Sequence, residues 1–285
     1  MITLNSDAAS TSLSKTTKAI LNEYGIKLNK NLGQNYLIDR NKRDQIIQFG
    51  NLTKDDVVLE IGPGIGTLTI ELAKRVKKVI AIEQDSNICK ILENRLKKEN
   101  IDNVELINDD ALNVEFPKFD KIISNLPYQI SSPITFKFLN YDFQLAILMY
   151  QKEFASRMNG KVGSKDYSRL SAMLYFKCDV DLLTGVSAES FIPKPKVDST
   201  VVRLTPKLPE LNGQLKHLNI NEINEKDFKT YSKFVKALFQ HRNKKVKNAL
   251  IDSRHIITDL DKKEMKAKLN SIKQKKIEEL LSERI

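Results

Sequence analysis

The sequence predicts an α/β fold, in which a seven-stranded, mostly parallel sheet with helices on both faces precedes a small α-helical domain. Short apolar runs typical of buried strands recur along residues 57–61, 79–82, 104–107, 122–123, 145–149, 180–186 and 201–204. The first run leads directly into a glycine-rich turn and a helical pattern, which is the strand–turn–helix order of parallel sheets. After residue 227, apolar residues recur at helical spacing instead.

The length and charge of the chain set the first limits on its function. Its 285 residues, 41% of them hydrophobic, are enough for one large domain and a smaller appendage. The formal net charge of +11 favours a polyanionic partner, and nucleic acid is the commonest one. A lysine-rich proteome would produce the same excess, so charge alone does not decide between these explanations.

The cysteines, histidines and apolar runs argue against a disulfide, a metal site and a membrane anchor. Cys89 and Cys178 lie in apolar segments without C-x-x-C spacing, which predicts buried thiols in a reducing compartment. The histidines (His217, His241 and His255) are far from any cysteine or acidic cluster, so we expect no metal. We find no apolar run of transmembrane length and no signal-peptide core, and the Ser/Thr-rich start lacks arginine. These features predict a cytoplasmic protein.

Residues 1–26 are expected to form an N-terminal extension with one amphipathic helix. Its apolar face repeats at helical spacing and Gly25 supplies a stop; the repeating positions are Leu13, Thr17, Ile20, Leu21 and Tyr24. A polar, basic loop then enters a helix over residues 42–49, with Asp39 as the predicted N-cap.

The glycine-rich turn after the first strand indicates a nucleotide-binding loop. Glycines allow positive φ and a close approach of the backbone to a ligand. Gly62, Gly64 and Gly66 alternate, unlike the G-x-G-x-x-G spacing of dinucleotide-binding loops. With Glu60 before them they are similar to the first motif of S-adenosylmethionine-dependent methyltransferases.

Acidic residues end the next two strands. Glu83 lies about 20 residues beyond the glycine loop, where a carboxylate can accept hydrogen bonds from both ribose hydroxyls. Asp110 follows the third strand and is placed to accept a hydrogen bond from the adenine amino group of a cofactor. Each alone could be a solvated strand end, but suitable residues at the ends of successive strands favour a cofactor site.

The fourth strand ends in Asn125, Leu126, Pro127 and Tyr128, which suit chemistry on an exocyclic amine. The lone pair of adenine N6 is delocalised into the ring, so N6 is a poor nucleophile. The amide oxygen of Asn125 and the carbonyl of Pro127 would accept its two N–H bonds and favour tetrahedral geometry, while the Tyr128 ring would stack on the base. The alternative is a simple strand-ending turn, since Asn and Pro both favour turns.

Together these motifs resemble those of the ribosomal RNA adenine dimethyltransferases, the kasugamycin-sensitivity family. The resemblance extends from about residue 27 to residue 250. It rests on residues 60–66, Glu83, Asp110 with Ala111, and residues 125–128, together with segments 32–37, 191–199 and 239–250. Segments 129–134 and 149–155 are most similar to the archaeal and eukaryotic branch. Tyr36 departs from the usual Phe but keeps the ring.

The resemblance implies a function and roles for particular residues. The implied reaction is N6,N6-dimethylation of two adjacent adenines near the 3′ end of small-subunit (16S-type) rRNA, by a monomer that uses S-adenosylmethionine. Asn35, Leu37 and Asn125 would contact the cofactor. Phe191 would close over the target adenine opposite Tyr128, each face contributing about 1–3 kcal/mol of stacking. The alternative for Phe191 is that it anchors its own loop on the core.

The expected domain limits are residues 27–206 for the Rossmann-like catalytic domain, 207–227 for a linker and 228–285 for a helical RNA-binding domain. Two basic groups would contact phosphates or simply be solvated; they are Arg40, Lys42 and Arg43, and Arg242, Lys244, Lys245 and Lys247. Two other functions remain open. One is methylation of large-subunit rRNA, as in the macrolide-resistance relatives, and the other is a largely non-catalytic role in ribosome assembly.

Overall fold

The computed structural model describes residues 12–26, 35–207, 225–241 and 243–272, without the side chains of 225–227. The predicted motif residues 32–34, most of the linker and Arg242 lie outside these ranges. So does the end of the helical domain that was expected over residues 228–285.

A seven-stranded sheet organises the first part of the chain. The strands of the described residues, of which all but β1 and β8 belong to this sheet, are β1 (Tyr36–Leu37), β2 (Val57–Ile61), β3 (Lys78–Glu83), β4 (Val104–Asn108), β5 (Lys121–Asn125), β6 (Leu145–Gln151), β7 (Cys178–Val186), β8 (Phe191–Ile192) and β9 (Ser199–Pro206). The large sheet has the order β4-β3-β2-β5-β6-β9-β7, and β9 is antiparallel to both of its neighbours. The predicted mostly parallel, seven-stranded sheet is confirmed.

The apolar runs form strands because both faces of the sheet are covered. Side chains alternate between the two faces along each strand. Val58 and Val79 belong to a core cluster with Ile46 and Leu72, which lie on helices. Leu59 and Ile80, which point the other way, are just as completely buried. A strand buried on both faces has no polar positions to alternate with, which explains the continuous apolar runs.

The helices are α1 (Leu13–Glu23), α2 (Arg40–Phe49), α3 (Thr69–Ala73), α4 (Ser86–Lys98), α5 (Ser131–Phe138), α6 (Lys152–Met158), α7 (Arg169–Lys177), α8 (Glu225–Phe239), α9 (Val246–Asp252), α10 (Arg254–Ile257) and α11 (Lys262–Asn270). The predicted cap of α2 is confirmed, since the Asp39 carboxylate accepts a hydrogen bond from the Lys42 amide at 3.1 Å. Gly25 follows α1 with φ +58°, as its role as a stop requires. Cys89 and Cys178 are buried thiols, as expected.

The chain divides into two compact units, residues 1–159 with 178–206, and residues 160–177 with 207–285. The sequence placed residues 160–177 in the first domain. They group with the second unit because α7 packs on α8 through aromatic contacts. The ring centroids of Phe176 and Tyr231 are 4.2 Å apart, and the Tyr231 hydroxyl donates a hydrogen bond to the Ala172 carbonyl at 3.0 Å.

A small sheet that the sequence did not predict connects two motifs. In it, β1 and β8 pair antiparallel, with Tyr36 opposite Ile192 and Leu37 opposite Phe191. Two-residue strands carry no period, so the sequence pattern does not reveal them.

Candidate active site

A cavity lies at the carboxyl ends of β2, β3, β4 and β5, the edge at which open α/β sheets bind ligands. The sequence-predicted residues that line it are Asn35, Leu37, Gly62, Gly64, Glu83, Asp110, Asn125, Pro127 and Tyr128. Other lining residues include Tyr36, Glu60, Thr67, Asp109 and Leu126. All belong to the first unit.

The glycine loop follows the end of β2 closely and has little room for side chains. Gly62 and Gly64 have φ values of +68° and +55°, a region that side chains disfavour. A Cβ on Gly62 would lie 3.1 Å from the Pro127 ring, and one on Gly64 would lie 2.9 Å from the Tyr36 ring. The loop therefore packs directly against two other cavity segments.

Glu83 connects the end of β3 to this loop. Its carboxylate accepts hydrogen bonds from the Gly64 amide at 3.2 Å and from the Asp85 amide at 3.0 Å. Burial raises the pKa of Glu83, although these backbone amides offset part of the effect. Each carboxylate oxygen of Glu83 thus has one amide donor, and it can accept a further hydrogen bond from a hydroxyl of a ligand.

Among the acidic residues that line the cavity, Glu60 has the most strongly shifted pKa. Its side chain is 1% exposed, and its Oε2 atom has no hydrogen-bond partner in the described part of the chain. Burial raises the pKa of Glu60 from 4.5 to about 8; the Thr69 hydroxyl lowers it in part, and repulsion from Glu83 adds to the rise. A cationic ligand group beside Oε2 would remove this penalty.

Asp110 lies where the sequence predicted, after β4. One carboxylate oxygen accepts from the Leu112 amide at 2.9 Å and the other from the Asn113 side chain at 3.1 Å. These bonds fix the carboxylate beside the cavity, where its remaining lone pairs are available to a donor such as an amino group.

Asn125 ends β5 with its amide group held by the backbone. Its Nδ2 atom donates to the Asn35 carbonyl at 3.0 Å, which leaves Oδ1 as the acceptor for a ligand. Next to it, the Ser124 hydroxyl donates to the Ile61 carbonyl at 2.6 Å and ties the end of β5 to the end of β2. The motif thus has the acceptor that amine chemistry requires.

Tyr128 begins a 3₁₀ turn, Tyr128–Ile130, directly after Pro127. Its hydroxyl lies 2.6 Å from the Ser199 hydroxyl. Burial raises the pKa of Tyr128, and the Ser199 hydrogen bond lowers it in part, so the phenol is neutral at physiological pH. A neutral, half-buried ring is suited to stacking on a base.

Phe191 is placed differently from the other predicted residues. Its side chain is 2% exposed, belongs to the core cluster of Leu37 and Val201, and is not among the described residues that line the cavity. This position matches the alternative that the sequence left open, an anchor of its loop on the core. Contact with a base in the cavity would require the ring to leave that core.

Several side chains of the two predicted basic groups make hydrogen bonds or ion pairs within the protein. Lys42 donates to the Thr184 hydroxyl at 3.0 Å, Arg43 pairs with Asp44 at 2.7 Å, and Lys244 pairs with Asp252 at 2.8 Å. Lys245 is exposed.

Within the described ranges, no group of His, Cys, Asp and Glu side chains could hold a metal, and no helix is long and apolar enough to cross a membrane.

Two residues near the site carry contacts that the sequence did not predict. Arg95 of α4 donates to the Ile65 carbonyl of the glycine loop, and Ser199 bonds to Tyr128. Ser199 is the last residue of segment 191–199, so the family resemblance included its position but implied no role for it. Arg95 lies 30 residues from its partner and has no local signal.

The glycine loop, the acidic strand ends and the Asn-Leu-Pro-Tyr segment on this sheet define the class, a Rossmann-like methyltransferase. A family model described as ribosomal RNA adenine dimethylase matches residues 25–284. The chain therefore belongs to the ribosomal RNA adenine dimethylase family, whose members are S-adenosylmethionine-dependent methyltransferases.

Individual relatives agree with this assignment. The chain is 49% identical over 263 residues to a probable ribosomal RNA small subunit methyltransferase A of Methanosphaera stadtmanae, covering 92% of this chain and 91% of that protein. Among solved structures, it resembles a dimethyladenosine transferase from Plasmodium falciparum, with 35% identity, a TM-score of 0.63, and coverage of 75% and 74% of the two chains. It also resembles the 23S rRNA methyltransferase ErmE, with 30% identity, a TM-score of 0.60, and coverage of 76% and 84%.

Proposed function

We propose that this protein transfers methyl groups from S-adenosylmethionine to N6 of two adjacent adenines near the 3′ end of small-subunit rRNA, yielding N6,N6-dimethyladenosine during subunit biogenesis. The observation that carries the proposal is the geometry of Asn125, whose Nδ2 is held by the Asn35 carbonyl so that Oδ1 accepts. The relatives named as small subunit methyltransferases support the choice of RNA. We further propose that the protein acts as a monomer in the cytoplasm.

The residues of the cavity fit S-adenosylmethionine. Glu60 presents a buried carboxyl oxygen, Oε2, that has no hydrogen-bond partner among the described residues, and a cationic group of the cofactor beside it would favour the ionised form. Glu83 is suited to the ribose hydroxyls and Asp110 to the adenine amino group, while Gly62 and Gly64 let the backbone approach closely. When bound, the cofactor supplies a methyl group activated by its sulfonium.

The chain's own residues then have to align the target amine. Asn125 Oδ1 and the Pro127 carbonyl accept the N6–H bonds and pull the nitrogen toward tetrahedral geometry, which favours the transition state over the planar ground state. Tyr128 holds the face of the base. The remaining contribution is proximity, and no side chain needs to act as a general base, since the methylated amine can lose its proton to water.

The direct test is transfer of labelled methyl groups to purified small subunits that lack the modification, with large subunits in parallel. We expect label in small-subunit rRNA, recovered as N6,N6-dimethyladenosine. Label in large subunits alone would show the macrolide-resistance type of activity instead. A protein that binds the cofactor but labels neither subunit nor its assembly intermediates would contradict the proposal and support a non-catalytic role.

A matched pair of variants controls for damage to the fold. Asn125→Ala removes the proposed acceptor. Asn103→Ala removes another half-buried asparagine whose Nδ2 donates to backbone carbonyls, those of Ala73 at 2.9 Å and Val76 at 3.1 Å, away from the cavity. The proposal requires that the first variant lose methyl transfer and the second retain it.

A further inference from the structure

Ser199 is the first residue of β9 and is held on both sides by the central sheet. It pairs with Gln151 of β6 and with Val186 of β7, and it is 1% exposed. Its hydroxyl lies 2.6 Å from that of Tyr128, a residue 71 positions earlier in the chain. The hydroxyl that contacts the tip of the Tyr128 ring is therefore held by a strand that is paired on both sides.

The backbone of Tyr128 needs such support, because it belongs to no strand. It starts a three-residue 3₁₀ turn, and the Pro127 ring before it packs against Gly62. Pro127 restrains the backbone at one end of the Tyr128 side chain. The Ser199 hydrogen bond restrains the other end, so the ring is fixed at both ends and its χ angles have little freedom left.

We propose that Ser199 is a positioning residue for methyl transfer, which fixes the Tyr128 ring in the orientation that receives the target adenine. This inference rests on the proposed function. Ser199 acts through Tyr128 and does not line the cavity among the described residues. Of the two rings expected to stack on the base, Tyr128 lines the cavity and Phe191 lies in the core, so the orientation of the Tyr128 ring decides how N6 meets Asn125.

The contacts of N6 with Asn125 and Pro127 are sensitive to small displacements of the base. A mobile Tyr128 ring should therefore lower the turnover of methyl transfer more than the affinity for the substrate. Purely structural loss of the hydrogen bond would lower thermal stability and leave turnover unchanged. These two roles therefore predict different results for kcat, for KM and for the melting temperature.

A double-mutant cycle over Ser199→Ala and Tyr128→Phe tests the proposal, with methyl transfer to small subunits and calorimetric cofactor binding as readouts. Each single variant should lose about tenfold in kcat with cofactor affinity within about twofold, and the double variant should lose no more than either single one. Ser199→Thr keeps the hydroxyl and should restore most of the turnover.

Tyr150→Phe is the matched control. The Tyr150 hydroxyl bonds to the Thr135 hydroxyl at 2.7 Å, both residues are fully buried, and neither lines the cavity. This variant should lose thermal stability and keep its kcat. Wild-type turnover in Ser199→Ala, losses that multiply in the double variant, or an equal loss in Tyr150→Phe would each overturn the positioning role. Absence of methyl transfer by the wild-type protein would instead refute the proposed function.

Discussion

The Asn125 side chain donates a hydrogen bond from Nδ2 to the backbone carbonyl of Asn35, at 3.0 Å. These residues are 90 positions apart and come from two different motifs. The bond decides which end of the amide is available to a ligand. It joins the segment expected to contact the cofactor to the residue expected to align the target amine.

Asn125→Ala should therefore abolish methyl transfer while leaving cofactor affinity within a few-fold. Loss of a preorganised polar group that acts in the transition state lowers kcat by about 10²–10³-fold. Single-turnover methyl transfer and equilibrium binding of S-adenosylmethionine would measure the two effects separately. Near-normal turnover in this variant, with Asn103→Ala as the control, would refute the role assigned to Asn125.

Glu60 should make folding stability depend on pH. Its pKa is raised from 4.5 to about 8 in the folded protein, mainly by burial, so the folded state keeps a proton that the unfolded state loses above pH 4.5. The stabilising effect is complete below that pH and is lost as the pH rises toward 8, by up to about 1.4 kcal/mol per pH unit.

The comparison of wild-type protein with Glu60→Gln isolates this group, because glutamine stays neutral. In denaturant titrations without cofactor, the variant should become more stable relative to the wild type as the pH rises from 4.5 to 8. Parallel pH profiles of the two proteins would show that Glu60 ionises normally and that its burial has no effect.

Phe191 should act mainly as a core residue. Its ring is 2% exposed in the cluster with Leu37, so Phe191→Ala should lower the free energy of unfolding by about 3–5 kcal/mol. Phe191→Leu keeps most of the apolar volume and should cost about 1–2 kcal/mol while turnover stays within about threefold. A large loss of turnover in the leucine variant at nearly unchanged stability would restore the base-stacking role that the family resemblance implied.

Helix α1 should stabilise the cofactor site by packing against residues of its lining and of the glycine loop. Ile20 and Leu21 cluster with Tyr36 and with Ile65 of the glycine loop. Replacing both α1 residues by alanine removes this packing while preserving helix propensity, and we expect about fivefold weaker cofactor binding, equivalent to about 1 kcal/mol. Lys18→Ala, on the exposed side of the same helix, is the control and should bind normally. Equal affinities in isothermal titration calorimetry would limit α1 to a role in folding.

Much of the site was predictable because its signals are local. The glycine spacing at residues 62–66, the acidic residues that end β3 and β4, and the Asn-Leu-Pro-Tyr segment each follow an apolar run, and parallel strands bring their carboxyl ends to one edge. The N-cap of α2 was predictable for the same reason, since Asp39 and Lys42 are three residues apart.

The sequence by itself thus determined the class of fold, the family and most of the predicted residues that line the cavity, since these depend on neighbouring residues and strand order. The tertiary structure alone decided which groups touch. It paired Tyr128 with Ser199 and Asn125 with Asn35, placed Phe191 in the core, and grouped residues 160–177 with the second unit. Such contacts join residues far apart in the chain, and they depend on how the packed layers meet, which no local pattern records.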